Sequence, residues 1–373
     1  MEDRIAVLHV SQPTEAGVPT VVETLVRDQL ARGMTVVVAS PRVGWLADAA
    51  VDAGATHISW EADRYPGPPT VGETRALASI FKDVDPQLVH LHSSKAGLCG
   101  RLGLRGRLPT VFQPHGWSFW AVGGTTAAMA RRWERRGARW TDALICVGDI
   151  ERAEGIAAGI SAPWIVVPNG VDLMRWKPAT ATDASNARLG LGIGTEPVAI
   201  CVGRFTRQKG QDVLIDAWPR VRAIVTDARL YLVGDGPDRQ SLEQNLPDGV
   251  EMVGERKDVS TWLAASDVVV LPSRWEGMSL VLLEAMASAR PVVATDVAGM
   301  REVLGRGGGE VVPVEDREAL ARAIADRLSN RQILAAEGAR GRQTIEKHHD
   351  VKATTDRIAQ VYRDVLDRRT GAH

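Results

Sequence analysis

Residues 267–299 read DVVVLPSRWEGMSLVLLEAMASARPVVATDVAG. An apolar run closing in VVVLPS gives a buried strand, and Gly277 lies in a turn. A helix begins near Met278 or Ser279, and PVVATDV follows as a second strand. Continuous apolar strands alternating with helices belong to a parallel sheet covered on both faces. Glu276 stands just before the helix and Glu284 about a turn and a half inside it, with seven residues between them. A helix start exposes unpaired N–H groups and the positive end of the macrodipole, so a phosphate can dock there. A carboxylate beside a phosphate repels it, so the two acids are better suited to neutral hydroxyl groups, those of a sugar or a ribose. Two unrelated acids on a buried helix, one favoured by the dipole, is the plainer alternative. The rest of the chain decides between them.

The alternation runs from end to end. RIAVLHV, TVVVAS, LVHLH, TVFQPHG, ALICVG and WIVVPNG read as strands in the first half, and PVAICVG, RLYLVGDG, VEMVGE, DVVVLPS and PVVATDV in the second. Amphipathic helices such as TVVETLVRDQLARG, with Gly33 as its cap, lie between them. The expectation is an α/β protein of two facing, doubly wound, Rossmann-like parallel-sheet domains, with substrate in the cleft beyond the strands' carboxyl ends. The first domain covers 1–170. A polar, Ala/Thr-rich connector without periodicity covers 171–186, the second domain 187–348, and one amphipathic helix 349–373. That helix either stays with the second domain or packs back on the first.

The bulk numbers exclude several classes. A chain of 373 residues suits two ordinary cores. Hydrophobic content of 45% and charged content of 24% are those of a soluble globular protein, and a net charge of -1 gives no overall pull toward nucleic acid. Cys99, Cys146 and Cys201 form no CxxC pair and read as buried free thiols in a reducing cytoplasm. No apolar run is long enough to span a membrane, and the N-terminus enters a strand directly, so no signal peptide is expected. A cytoplasmic protein, peripheral on a membrane at most, is the expectation.

In AICVGRFTRQKGQDVLIDA a strand ends at Gly203, Arg204 follows, and Lys209-Gly210 precede the next helix. A guanidinium fork and a mobile ammonium at one strand end can both reach a diphosphate. Two solvated loop cations are the alternative. Gly234-Asp235-Gly236 is a turn and not a dinucleotide fingerprint, since Arg239 stands where the third glycine belongs.

Taken in order, GRF…KG, VGDGP, the LPSxxEG…LLEAMAS string and the linker Pro168–Asp172 resemble retaining glycosyltransferases of the GT-B fold, family-4 type. The resemblance covers nearly the whole second half. It implies that Arg204 and Lys209 neutralise a nucleotide diphosphate and that Glu276 holds donor-sugar hydroxyls. Backbone N–H groups of Gly277, Met278, Ser279 and Leu280 would surround sugar and phosphates, Glu284 would take the ribose hydroxyls, and Arg256 would lie beside the base. It implies a UDP- or GDP-sugar as substrate, no cofactor and no metal. A glycan, glycolipid or small-molecule acceptor follows from it, as does work in cell-surface glycan assembly. A nucleotide-sugar-processing or phosphorylase-like enzyme on the same fold, and a non-catalytic binding subunit, are the alternatives.

The first half matches more weakly. His115, in the His115-Gly116 pair, ends a strand and so points into the expected cleft, and the resemblance implies a place for it near the donor sugar or the acceptor. Lys95, after LVHLHSS, and Trp117 are candidate acceptor contacts. Family members often carry two adjacent glycines in the first loop, where this chain has Ala16-Gly17; close approach of a diphosphate through Gly17 is expected all the same. From Lys95 to Trp140 nine basic side chains face Glu134 alone. If MARRWERRGARW is helical, its five arginines span an arc of about 140°. With Trp117, Phe119 and Trp120 before it, such a face suits an anionic bilayer or a lipid-diphosphate acceptor.

Overall fold

The structure, a computed structural model, describes residues 5–244 and 246–371. Its Val/Ile-rich runs form parallel strands in two sheets, one in each of two units. The first unit takes the chain up to Asn169 and again from Ala353 onward; the second takes Gly170–Lys352.

The first sheet contains β1 (Ala6–Ser11), β2 (Thr35–Ser40), β3 (Thr56–Ser59), β4 (Leu88–His92), β5 (Thr110–Gln113), β6 (Ala143–Cys146) and β7 (Trp164–Val166). Their order is β3-β2-β1-β4-β5-β6-β7, every pair parallel. The chain winds outward from β1 to β3, then returns to β4 and winds the other way, so β1 and β4 flank a topological switch point. One face buries Val22, Leu25 and Val26 of the helix Gly17–Ala31 against Ile358, Val361, Tyr362 and Val365 of the last helix, Val351–Thr370. The C-terminal helix thus completes the core of the first unit. The other face is filled by Leu77, Phe81, Phe112 and Leu144.

The second sheet contains β8 (Val198–Val202), β9 (Arg229–Val233), β10 (Val250–Gly254), β11 (Val268–Leu271), β12 (Val292–Thr295) and β13 (Gly309–Val312). Its order, β10-β9-β8-β11-β12-β13, puts a second switch point between β8 and β11. Val213, Leu214 and Trp218 of the helix Gln211–Ile224 pack with Leu320 and Ile324 of the helix Arg317–Leu328 on its core face.

Three local readings change. Each sheet gains a strand that the apolar runs did not announce: β3 is only part-buried, β13 begins on glycine, and both are edge strands with one neighbour. The polar connector is shorter than expected, because Thr180 and Asp183 form a reciprocal capping box that starts the helix Ala181–Leu191. The aperiodic composition hid a helix whose start is set by its cap. The Gly33 cap is as read: Met34 N–H bonds Gln29 C=O and Gly33 N–H bonds Leu30 C=O, the paired bonds of a Schellman ending. All three cysteines are buried and free. Among the described residues no helix is long and apolar enough to cross a membrane.

Candidate active site

The switch point of the second unit is built from two cross-braced loops. One follows β8 and carries Arg204 and Lys209; the other follows β11 and carries Ser273 to Ser279. Arg274 N–H bonds Gln208 C=O at 2.7 Å, and the Gln208 amide returns to Trp275 C=O at 3.0 Å. The Arg274 guanidinium forks onto Asp212 at 2.8 and 2.7 Å and reaches Arg207 C=O at 2.8 Å. Close backbone approach needs glycine at two points. Gly210 has φ +68 and a Cβ there would stand 2.1 Å from Pro272 O; a Cβ on Gly299 would stand 1.7 Å from Gly277 O. The GDGP turn braces the β8 loop from the other side, Asp235 C=O accepting from Phe205 N–H at 2.9 Å.

These braces bring the candidate charges together. Lys209 Nζ lies 2.6 Å from Glu276 Oε2, and Ser273 Oγ donates to the same oxygen at 3.2 Å. Arg204 is half-buried; its backbone carbonyl is held by the buried Gln211 amide at 3.1 Å, and its guanidinium has no partner among the described residues. Beside them the helix Leu280–Ala287 starts at Ser279 with no side-chain cap, and the Ser279 hydroxyl is buried without a partner among the described residues. Uncapped N–H groups, an orphaned hydroxyl and an unpaired guanidinium form a site prepared for an anion. Gly277 and Leu280 are half-buried and Met278 is buried along the same turn.

Glu284 is half-buried by exposure but set apart by the packing around its carboxyl. Desolvation pushes its carboxyl up to about 7, with Arg175 pulling the other way. Among the described residues its carboxylate accepts no hydrogen bond, so two or more acceptor positions await donors. Arg256 is exposed and spends its fork on Asp258 at 2.9 and 3.0 Å, so the structure gives its charge a partner within its own loop.

In the first unit, the switch point between β1 and β4 carries histidines. His92 stacks on both His9 and His115, and His90 lies tilted against His9 and His92. His115 is part-exposed with φ +55, held in place by Glu151, which accepts from Gly116 N–H at 2.6 Å and Val147 N–H at 2.7 Å. Packing around its ring depresses its pKa to about 3, so it is neutral at working pH. His9, His90 and His92 offer ring nitrogens within 4.8 Å of one another, yet both nitrogens of His9 and of His92 are taken by hydrogen bonds.

Two acceptor candidates are corrected here. Lys95 is 4% exposed and its ammonium lies 2.5 Å from Glu73, also bonding Tyr65 C=O and the Thr70 hydroxyl, so it holds the fold and is closed to a substrate. Trp117 is 2% exposed, with its indole N–H on Glu151 C=O at 2.7 Å and its ring stacked on Phe119. A strand-end or loop position in the sequence does not reveal that a partner waits elsewhere in the chain. In the first loop Ala16 has φ 70 and ψ -147, a region costly for any residue but glycine, and Gly17 after it is exposed. The arginine-rich helix is real over Gly124–Gly137 and exposes Arg131, Arg132, Arg135 and Arg136, with Arg139 just beyond. Of the aromatic half of that surface, Trp117 and Phe119 are buried and Trp120 is half-buried; Met129, at 63% exposure, is the large apolar group that the helix presents.

Comparison with known proteins follows the same division. Residues 196–330 match the family described as glycosyl transferases group 1, and residues 16–175 match glycosyltransferase family 4. A GDP-mannose-dependent alpha-(1-6)-phosphatidylinositol monomannoside mannosyltransferase of Mycolicibacterium smegmatis is 31% identical over 353 residues, covering 88% of this chain and 90% of its own. The Escherichia coli UDP-Gal:alpha-D-GlcNAc-diphosphoundecaprenol alpha-1,3-galactosyltransferase is 28% identical over 314 residues, 79% of this chain and 81% of its own. The Anabaena protein HepE, crystallised with UDP and glucose, shares the fold at a TM-score of 0.83 and 21% identity, covering 96% of this chain and 99% of that one.

Proposed function

We propose that this chain, which belongs to the glycosyl transferases of group 1 and family 4, moves a sugar from a UDP- or GDP-sugar to an acceptor hydroxyl with retention of anomeric configuration. The observation that carries this reading is the β8/β11 corner: the Arg204 guanidinium, unpaired among the described residues, the uncapped helix tip with its orphaned Ser279 hydroxyl, and the Lys209–Glu276 pair. Arg204, the N–H groups at 279–280 and Lys209 receive the diphosphate, Lys209 turning from Glu276 to do so. Glu276, released from its cation, takes the hydroxyls of the donor sugar, and Glu284 those of the ribose.

The bond from the anomeric carbon to the diphosphate oxygen breaks while the acceptor oxygen bonds to the same carbon from the same face. The acceptor's proton passes to the departing phosphate oxygen. Charge builds on the leaving diphosphate, where preorganised cations and N–H donors lower the barrier most. These groups supply the positive charge that a divalent ion gives elsewhere, and we propose that the reaction proceeds without a metal. The relatives that act on lipid-linked acceptors favour glycolipid or cell-surface glycan assembly at the cytoplasmic face of a membrane. The exposed arginines and Met129 of the helix Gly124–Gly137 are our candidate for a peripheral contact there. Replacing Arg131, Arg132, Arg135 and Arg136 by Gln is expected to lower binding to anionic vesicles; unchanged binding removes that contact and leaves the catalytic reading intact.

The test is a panel of UDP-, GDP-, ADP- and TDP-sugars, read first as thermal stabilisation by the matching nucleoside diphosphate. Release of that diphosphate on adding acceptors, with chelator present, is the expected result. No release with any donor favours a binding subunit, and release of a sugar phosphate with free phosphate favours a phosphorylase.

A further inference from the structure

Histidine is an unusual choice for the interior of a parallel sheet, yet His9 on β1 and His90 and His92 on β4 are all fully buried. Positions 90 and 92 alternate to the same face of β4, and that face turns toward His9. The side chains form one continuous chain of hydrogen bonds. Gln29 Oε1 meets His9 Nε2 at 2.8 Å, His9 Nδ1 meets His92 Nε2 at 2.9 Å, and His92 Nδ1 meets His115 Nε2 at 3.1 Å. Burial holds all of these rings neutral, the His9 pKa lying at about 4.

A neutral imidazole has one donor and one acceptor nitrogen, so a chain of them must run in one direction throughout. Gln29 sets that direction: its carbonyl oxygen faces His9, while its amide nitrogen donates to the Tyr362 hydroxyl at 3.3 Å. His9 therefore carries its proton on Nε2 and accepts on Nδ1. His92 donates from Nε2 and accepts on Nδ1, and His115 donates from Nε2. What remains is the His115 Nδ1 lone pair, with no partner among the described residues. His90 is a side branch, its Nδ1 on the Tyr362 hydroxyl at 2.6 Å.

We propose that Gln29, His9 and His92 form a tautomer relay that fixes the proton of His115 on Nε2 and presents a bare Nδ1 as a hydrogen-bond acceptor for a substrate hydroxyl. The relay stands on the hydrogen-bond chain alone; the use of Nδ1 by substrate rests on the glycosyltransferase reading. Gln29, His9 and His92 are positioning residues, since only His115 would touch the substrate. Reversing the chain requires the Gln29 amide to rotate and every ring to exchange its proton together, so a hydroxyl is favoured at this position over a group that can only accept.

The experiment is a long-range 15N–1H correlation spectrum of the histidine rings in the full chain. The expected His115 pattern is a protonated Nε2 and an unprotonated Nδ1; a proton on Nδ1 in the resting protein overturns the proposal. Gln29→Met removes the directing amide at similar volume. It is expected to mix the His115 tautomers and to lower turnover about tenfold, the worth of one hydrogen bond, with donor KM unchanged. Gln29→Glu, which can only accept when ionised, is expected to restore both. An unmixed tautomer in Gln29→Met overturns the relay. A mixed tautomer with unchanged turnover keeps the relay and overturns the use of Nδ1 by substrate, separating the two claims.

Discussion

The two sheets reverse their winding in the same way, one between β1 and β4 and the other between β8 and β11, and they equip the two reversals with opposite chemistry. At β8/β11 stand a free guanidinium, an ammonium–carboxylate pair and an open helix tip. At β1/β4 stand four neutral histidines, and the nearby Lys95 is neutralised by Glu73. Topology selects the place, and side chains decide what it can hold. A charged corner that can rearrange its ion pair suits a diphosphate. A neutral corner locked by hydrogen bonds suits the hydroxyls of a sugar or an acceptor.

Mutations should separate the corners by what they cost. Arg204→Ala is expected to be the most severe, lowering kcat/KM roughly a hundredfold (~3 kcal/mol) and weakening nucleoside diphosphate binding with it. Glu276→Ala should lower turnover by about tenfold to a hundredfold while diphosphate affinity holds or rises, because Lys209 is released from its partner. Parallel losses in rate and affinity would show that Glu276 does not hold the sugar. His115→Ala, in the neutral corner, should cost about tenfold in turnover and leave calorimetric diphosphate binding unchanged. A large loss of binding there would erase the distinction between the corners.

The smallest effect concerns Glu284 and is read through pH. Its folded-state pKa of about 7 lies above the ordinary 4.5. Between those values the folded protein keeps a proton that the unfolded chain releases. The group's contribution to stability therefore falls as pH rises through that window and is level above it. Ribose hydroxyls donate to the ionised form, so nucleotide affinity should rise by about threefold to tenfold from pH 6 to 8 relative to Glu284→Gln, whose profile lacks that increment. Identical profiles would detach Glu284 from the ribose.

The charged corner was far more legible in the sequence than the neutral one, for a physical reason. Glu276, the helix tip and Glu284 lie within one strand–turn–helix passage, and Arg204 and Lys209 within another, so local periodicity and capping logic place them. The histidine corner is assembled from positions 9, 90, 92 and 115 with Gln29 and Tyr362, and only the fold brings them together. His115 was visible as a strand-end group. The signal for the others was present as polar residues inside the apolar runs AVLHV and LVHLH, where burial demands a partner. Lys95 and Trp117 misled for the converse reason: their exposure depended on Glu73 and Glu151, and spacing along the chain does not encode those contacts. The edge strands β3 and β13 escaped because strands with one neighbour need little apolar sequence.

The most direct test is a crystal structure with the nucleoside diphosphate-sugar that stabilises the protein. The diphosphate is predicted on Arg204 and the N–H groups at the start of the helix Leu280–Ala287, with Lys209 turned from Glu276 to a phosphate oxygen and Glu276 on the sugar. A nucleotide bound elsewhere, with the Lys209–Glu276 pair still closed, would contradict the account at its centre.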